Sequence, residues 1–390
     1  MLRCEALVTP SVMRWAREKA GFDIPTAASK LQRPESDVKG WENGTLQPTL
    51  AQARMAARLY KRSLAVLYLP EPPKDFDTLR DFRHLPAGYP RDYSPELALL
   101  IRQVISRQEW LREYYISEGA KKVTFIGSQS ITTSPQVLAK SIREQLDISI
   151  GEQMACSSPR EALNLWIEKA ENVSINICRQ GKIECEEARG FALSDEYAPF
   201  VYINSNDAVV AQLFTLVHEL THIWIDQPGI SNLEGLRARS RTSEAAIEIF
   251  CNKIASETLI DQKIFDQLWS SGGSNQTLNE KIEYVSGRFR VSEEVVARRL
   301  LDQSQITLQQ YQQLRKYYLD RWLEYKKQEH ERSSGGPSYY IMKVVGNGRT
   351  FTQAVISAYE NGFIMGRDAS SLLGVKLNHL SKLADFATAS

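Results

Sequence analysis

Residues 214–226 read FTLVHELTHIWID, and this stretch constrains the fold more than any other. On a helix, positions i and i+4 share a face, so His218 and His222 can reach one ion together. Glu219 follows the first histidine, within reach of a water at that ion. Two imidazoles plus a carboxylate in the H-E-x-x-H arrangement point to zinc held by His218 and His222, with Glu219 as general base. A catalytic zinc normally takes three protein ligands and keeps one position open. The chain must therefore fold back and bring a third ligand to this helix. No histidine lies between positions 223 and 329, so a nearby third histidine is excluded. The segment SEAAIEIFCNKIASETLI (243–260) reads as a return helix, and its Glu244 and Glu248 both qualify.

The surroundings of the motif change period. VSINIC (173–178), GFALS (190–194) and FVYIN (200–204) are short, rich in β-branched and aromatic residues, and separated by turn residues. They predict a small antiparallel sheet just before the histidine helix, which is expected from about Asp207 to Ile225. FVYIN is a candidate edge strand that could hold a peptide by β-augmentation, and Tyr202 a candidate transition-state donor. Arg237, Arg239 and Arg241 mark a loop that could cover the site.

Upstream, residues 11–65 read as four or five short helices. IPTAASKLQ and PESDVKGWENG are joined by a tight connection, the pattern of a helix-turn-helix. DNA contacts, if this unit makes them, fall on Lys30, Arg33, Ser36 and Lys39. The acidic start of the third helix, Glu35 and Asp37, opposes phosphate binding, so weak, salt-dependent DNA binding or protein docking is expected. Pro70-Glu71-Pro72-Pro73 ends this unit. A long helix is expected from about Ser94 to Gly119, followed by helices over 134–150 and 158–171. Residues 278–304 are helical again, with FRVSEEVVARRLL of helix-turn-helix type, and a charged helix runs from about Leu308 to Arg332. SSGGP (333–337) marks a break. The tail starts with an extended YYIMKVV, turns at Gly-Asn-Gly, and ends in two or three helices. The expected division is 1–73 helix-turn-helix, 74–134 linker and long helix, 135–305 metallopeptidase, 306–336 charged helix and linker, and 337–390 a small helical domain. The fold class is α+β, mainly α with a small antiparallel sheet and a zincin-like peptidase domain.

The formal net charge of +1 gives no global pull toward nucleic acid or membranes. No apolar run is long enough to span a bilayer, and the start lacks a secretory h-region. The five cysteines are scattered without a CxxC, which fits a reducing cytoplasm.

FTLVHELTH followed by EIFCNKIASETLI resembles the ImmA/IrrE family of zinc metallopeptidases. Glu248, Cys251 and Asn252 match that family's pattern of a glutamate three residues before a small residue and an asparagine. The resemblance therefore selects Glu248 over Glu244 as the third ligand. RGFALS (189–194) and VYIN (201–204) are similar to the family's sheet. WENG and PTL are similar to the phage-repressor-type helix-turn-helix often fused to it, and RDASSLLGVKLNHLSKL to the C-terminal segment of its long members. The chain departs by having Asp261 where a proline is usual, which affects a helix end and no ligand. The resemblance implies a Zn2+ cofactor and a protein substrate, a helix-turn-helix repressor or a toxin–antitoxin-type partner, with control of stress, phage or mobile-element genes. Two other readings stay open. One is a DNA-binding regulator or antitoxin-like protein with a non-catalytic peptidase fold. The other is an interaction module in which a fourth protein ligand makes the zinc structural.

Overall fold

Short helices with distinct stop signals build the N-terminal part of the computed structural model. The structure describes residues 5–60, 62, 64–72, 94–226, 230–231, 243–271, 276–332 and 338–388. They form two compact units, Met1–Ile105 and Ser106–Ser390.

In the first unit, Pro10 starts α1 (Pro10–Lys19), and Asp23 caps α2 (Ile24–Leu31) by accepting from Thr26 N at 2.8 Å. Gln32 in the left-handed region (φ 53°) turns the chain into α3 (Glu35–Asn43). Thr49 and Gln52 form a capping box that opens α4 (Leu50–Leu59), and a 3-10 turn, Leu64–Tyr68, follows. Val12, Met13, Ala28, Leu31, Val38, Trp41 and Ala56 share one core. Inside it, Arg17 of α1 binds Glu42 of α3 through two hydrogen bonds of 2.6 and 2.9 Å, and donates to Phe22 O at 2.6 Å. A buried guanidinium needs such a bidentate partner, so this pair fixes how α1 meets α3.

Helix α5 (Pro95–Ser117) carries the division between the units. The second unit continues with α6 (Pro135–Leu146), α7 (Ile150–Ala155) and α8 (Pro159–Asn172). One helix was expected over 134–150. Asp147 interrupts it in the left-handed region (φ 49°), and Ser149 with Glu152 starts α7 by a capping box. Next come β1 (Asn176–Gln180), β2 (Gly190–Leu193), β3 (Phe200–Asn204), α9 (Val209–Trp224), β4 (Ile230–Ser231) and α10 (Ser243–Leu259). The chain then runs through α11 (Gln262–Ser271), α12 (Leu278–Phe289), α13 (Glu293–Asp302), α14 (Leu308–Arg332), α15 (Tyr339–Asn347), α16 (Arg349–Glu360), α17 (Gly366–Leu373) and α18 (Leu380–Thr388). The result is α+β and mainly helical. Among the described residues, no helix is long and apolar enough to cross a membrane.

The sheet is mixed, not antiparallel. Its order is β1-β3-β2-β4, with β1 parallel to β3 and the other pairs antiparallel. All five residues of β3 are buried, so it takes the centre and is paired on both sides. FVYIN is therefore not an edge strand. Short strands show their faces in sequence, but not their neighbours.

Strand alternation gives the sheet two different faces. Ile177, Ala192, Val201 and Ile203 join the main core with Leu213, Leu216, Val217 and Leu220 of α9. Helices α6, α8 and α10 complete that layer. The other face meets α15 and α16. There the Cys178 thiol donates to Asn347 O at 3.1 Å, and Arg107 Nη2 donates to Asn347 Oδ1 at 2.6 Å. Gly348 has φ 89°, and a Cβ there would sit 2.9 Å from Ile177 O. Only glycine lets the α15–α16 corner approach β1 this closely. YYIMKVV, expected to be extended, lies in α15. Its β-branched and aromatic residues are overridden by packing against β1 and α18.

Glu171, at the end of α8, reaches across to this corner and accepts from Arg349 N at 3.0 Å. Burial pushes its carboxyl up from its ordinary value of 4.5 to about 7, against the Arg349 and Thr350 amides. An acid raised in the folded state binds its proton more tightly there than in the unfolded chain. Its contribution is full below about pH 4.5 and is lost as pH rises toward 7. Tm measured across that window should fall with pH in the wild type, and Glu171→Gln should flatten this part of the slope. An identical slope in both proteins would assign it to other groups.

Candidate metal centre

Helix α9 is apolar on nearly every side, so it cannot sit at a surface. Among the polar side chains it carries into the core, His218, Glu219 and His222 are at most 3 % exposed. One turn separates the two histidines, and their Nε2 atoms face each other at 3.1 Å. Helix α10 packs along α9 and contributes Glu248. Its carboxylate lies 3.2 Å from His218 Nε2 and 3.4 Å from His222 Nε2.

Several contacts hold α10 in place. Arg143 of α6 donates to Thr258 O at 2.6 Å, and Gln153 of α7 donates to Leu259 O at 2.9 Å. Both satisfy carbonyls at the C-terminal end of α10 that have no partner within the helix. Asn252, one turn beyond Glu248, lies with Oδ1 3.1 Å from His218 Nδ1. With Nδ1–H donating to that oxygen, His218 presents the lone pair of Nε2 to the cluster.

The electrostatics follow from burial and proximity. Burial pushes the Glu248 carboxyl up, but the two imidazoles outweigh it and hold Glu248 well below the usual carboxylate range. Burial opposes charge on His222, yet Cys251 and Glu248 raise it well above an ordinary histidine. Two Nε2 atoms 3.1 Å apart require a proton or a cation between them. Donors about 2.0–2.1 Å from one tetrahedral ion lie roughly 3.3–3.4 Å apart. The three separations of 3.1, 3.2 and 3.4 Å fit that geometry, and two imidazoles with one carboxylate fit zinc chemistry. The Cys251 thiol belongs to the same neighbourhood: His218, His222 and Cys251 offer ligand atoms within 4.8 Å of one another. Two donor sets thus overlap here and share both imidazoles.

Residues 170–301 match the family model described as Peptidase_M78, the IrrE N-terminal-like domain. The matched segment runs from the end of α8 into α13 and contains the sheet, both histidines, Glu219 and Glu248. It spans about one third of the chain. The match supports a metallopeptidase-type fold for this segment. No curated protein matches the chain.

The Peptidase_M78-like segment does not bring Tyr202 to the histidines. Tyr202 lies on the sheet face turned away from α9, stacked on Phe191 at 4.9 Å, and its hydroxyl donates to Gln180 O at 2.6 Å. It is fully buried, and its proton is committed. Tyr202 is a packed sheet residue, as the strand alternation around Val201 and Ile203 requires. In the N-terminal unit, Lys30, Arg33, Ser36 and Lys39 are exposed on α2, the turn and α3, and Lys39 is paired with Glu35 at 3.1 Å. The side chain of Glu244 lies outside the described residues, as do Arg237, Arg239 and Arg241.

Sequence reasoning assigned no role to Gly190, Asn252 or Cys251. Gly190 in β2 faces α9. A Cβ there would lie 2.6 Å from Thr215 Cγ2, 2.9 Å from Tyr202 O and 3.1 Å from Glu219 Oε1. A glycine within a strand pattern is the signal that could have found it, because it marks close approach. Gly190→Ala should cost about 1–3 kcal/mol of stability by overpacking and displace Glu219. Denaturant unfolding tests the first effect, and metal-replete peptidase assays the second. An alanine variant of unchanged stability and activity would show that the sheet gives way freely at this point.

Proposed function

We propose that the chain is a zinc-dependent metallo-endopeptidase that cleaves a regulatory protein, a repressor of helix-turn-helix type being the expected substrate. The observation that carries this reading is the convergence of His218, His222 and Glu248 on one point beside Glu219, inside the Peptidase_M78-like segment.

His218, His222 and Glu248 would hold the zinc, with Asn252 orienting His218. A zinc ion there would polarise a scissile carbonyl and make water nucleophilic at neutral pH. Glu219 accepts the proton of the attacking water and delivers it to the leaving amine. Its position is set by α9 on one side and by Gly190 of β2 on the other. Burial of Glu219 and both histidines keeps bulk water from competing for the proton.

The N-terminal unit supports a helix-turn-helix reading through the α2–Gln32–α3 geometry. Its expected role is recognition of a protein partner, with DNA binding weak and strongly salt-dependent because α3 begins with Glu35 and Asp37. A gel-shift titration across ionic strength checks this. Tight, sequence-specific binding lost in Lys39→Ala would contradict it.

The function itself is tested in the cell. Wild type and Glu219→Gln are expressed in parallel, and new protein N-termini are mapped. Termini present only with wild type, on a DNA-binding regulator, are expected. Identical termini in both would remove the peptidase reading.

A further inference from the structure

Cys251 sits three residues after Glu248 on α10, so both side chains leave the same face of the helix toward α9. Its thiol is fully buried, and Sγ lies within 4.8 Å of ligand nitrogens of both His218 and His222. Among the described residues, these three are a group of histidine and cysteine side chains whose ligand atoms converge in this way. Glu248 approaches the same two imidazoles. Two packed helices therefore bring two nitrogens, one oxygen and one sulfur into one neighbourhood, the oxygen and the sulfur each close to both imidazoles. Zinc takes four such donors readily, and a tetrahedral shell needs sulfur–nitrogen separations of about 3.6 Å. Sγ, already within 4.8 Å of both nitrogens, has only to close on them to meet that requirement. Cys178, the other fully buried thiol discussed above, is instead engaged with Asn347 O on the far face of the sheet.

We propose that Cys251 is a fourth donor to the ion held by His218, His222 and Glu248, and that it closes the resting site and keeps the peptidase latent. This rests on the metallopeptidase reading and adds its regulation. When the sulfur binds, the S–H bond breaks, its proton passes to solvent, and a sulfur–metal bond forms. The fourth position, which a catalytic site keeps open, is then filled by protein. Glu219 has no water to act on until Sγ withdraws.

The test uses the full chain reconstituted with cobaltous ion. Thiolate coordination gives a near-ultraviolet sulfur-to-cobalt charge-transfer band, which imidazole and carboxylate donors do not. Wild type should bind about one cobalt per chain, as one tetrahedral site allows, and show the band. Cys251→Ala should bind the same amount without the band, and its zinc form should cleave the substrate faster than wild type. The four single variants of Cys4, Cys156, Cys178 and Cys185 to alanine should all keep the band. They identify Cys251 by elimination even if Cys251→Ala fails to fold. Stoichiometric cobalt in wild type without the band overturns the proposal and leaves the three-ligand site standing. No cobalt bound in any form would instead remove the metal site on which both readings depend.

Discussion

Glu219→Gln is expected to retain zinc and to lower substrate cleavage by about 10²–10⁴-fold, the usual contribution of a positioned general base. Glutamine keeps the shape of the side chain but cannot accept the proton. The close contacts among His218, His222 and Glu248 run between those three side chains, so the donor geometry should survive. The assay needs a substrate identified from cellular termini, and the Cys251→Ala background offers an unlatched comparison. Full activity in Glu219→Gln would place the base elsewhere. Loss of zinc together with activity would make Glu219 a ligand.

Metal removal should have the second large effect. A ligand that binds only the folded chain stabilises it by RT ln(1 + [L]/Kd), about 4 kcal/mol at a thousandfold excess over Kd. Without an ion, the core must hold a carboxylate and two facing imidazoles, all buried or nearly so. Chelation should therefore lower the Tm of the second unit by several degrees, and zinc should restore it. Glu248→Ala made on Cys251→Ala, with two imidazoles left, should start at the lower Tm and respond to neither addition. A Tm in wild type that ignores both chelator and zinc would show that the imidazole–carboxylate cluster is stable on its own protons.

The parts of this account that were legible in the sequence are those with a strong local period. The i, i+4 histidines set α9, and the apolar run around them set its burial. The ranges of β2 and β3 were readable from β-branched and aromatic residues bounded by turns. Helix α10 followed from the need for a returning carboxylate. What escaped is non-local. The parallel pairing of β1 with β3 depends on β3 inserting between two earlier strands, which no strand's own residues encode. Tyr202 in its strand reads equally as a packed residue or as a donor, and only the position of α9 decides which face it occupies. YYIMKVV has strand-like composition and becomes helical through its contact with β1. Cys251 matched a small-residue position in a pattern, and its chemistry emerged only once α9 and α10 were side by side.

The central claim is one metal ion held by His218, His222 and Glu248. Elemental analysis of the full chain, purified without chelator or added zinc, tests it most directly beside Glu248→Ala and Glu244→Ala, both made on Cys251→Ala so that the thiol cannot replace the carboxylate. The account predicts about one zinc per chain in wild type and Glu244→Ala, and a near-complete loss in Glu248→Ala. A wild type that carries no zinc and takes up none on reconstitution, or a Glu248→Ala variant that keeps it fully, would contradict the account.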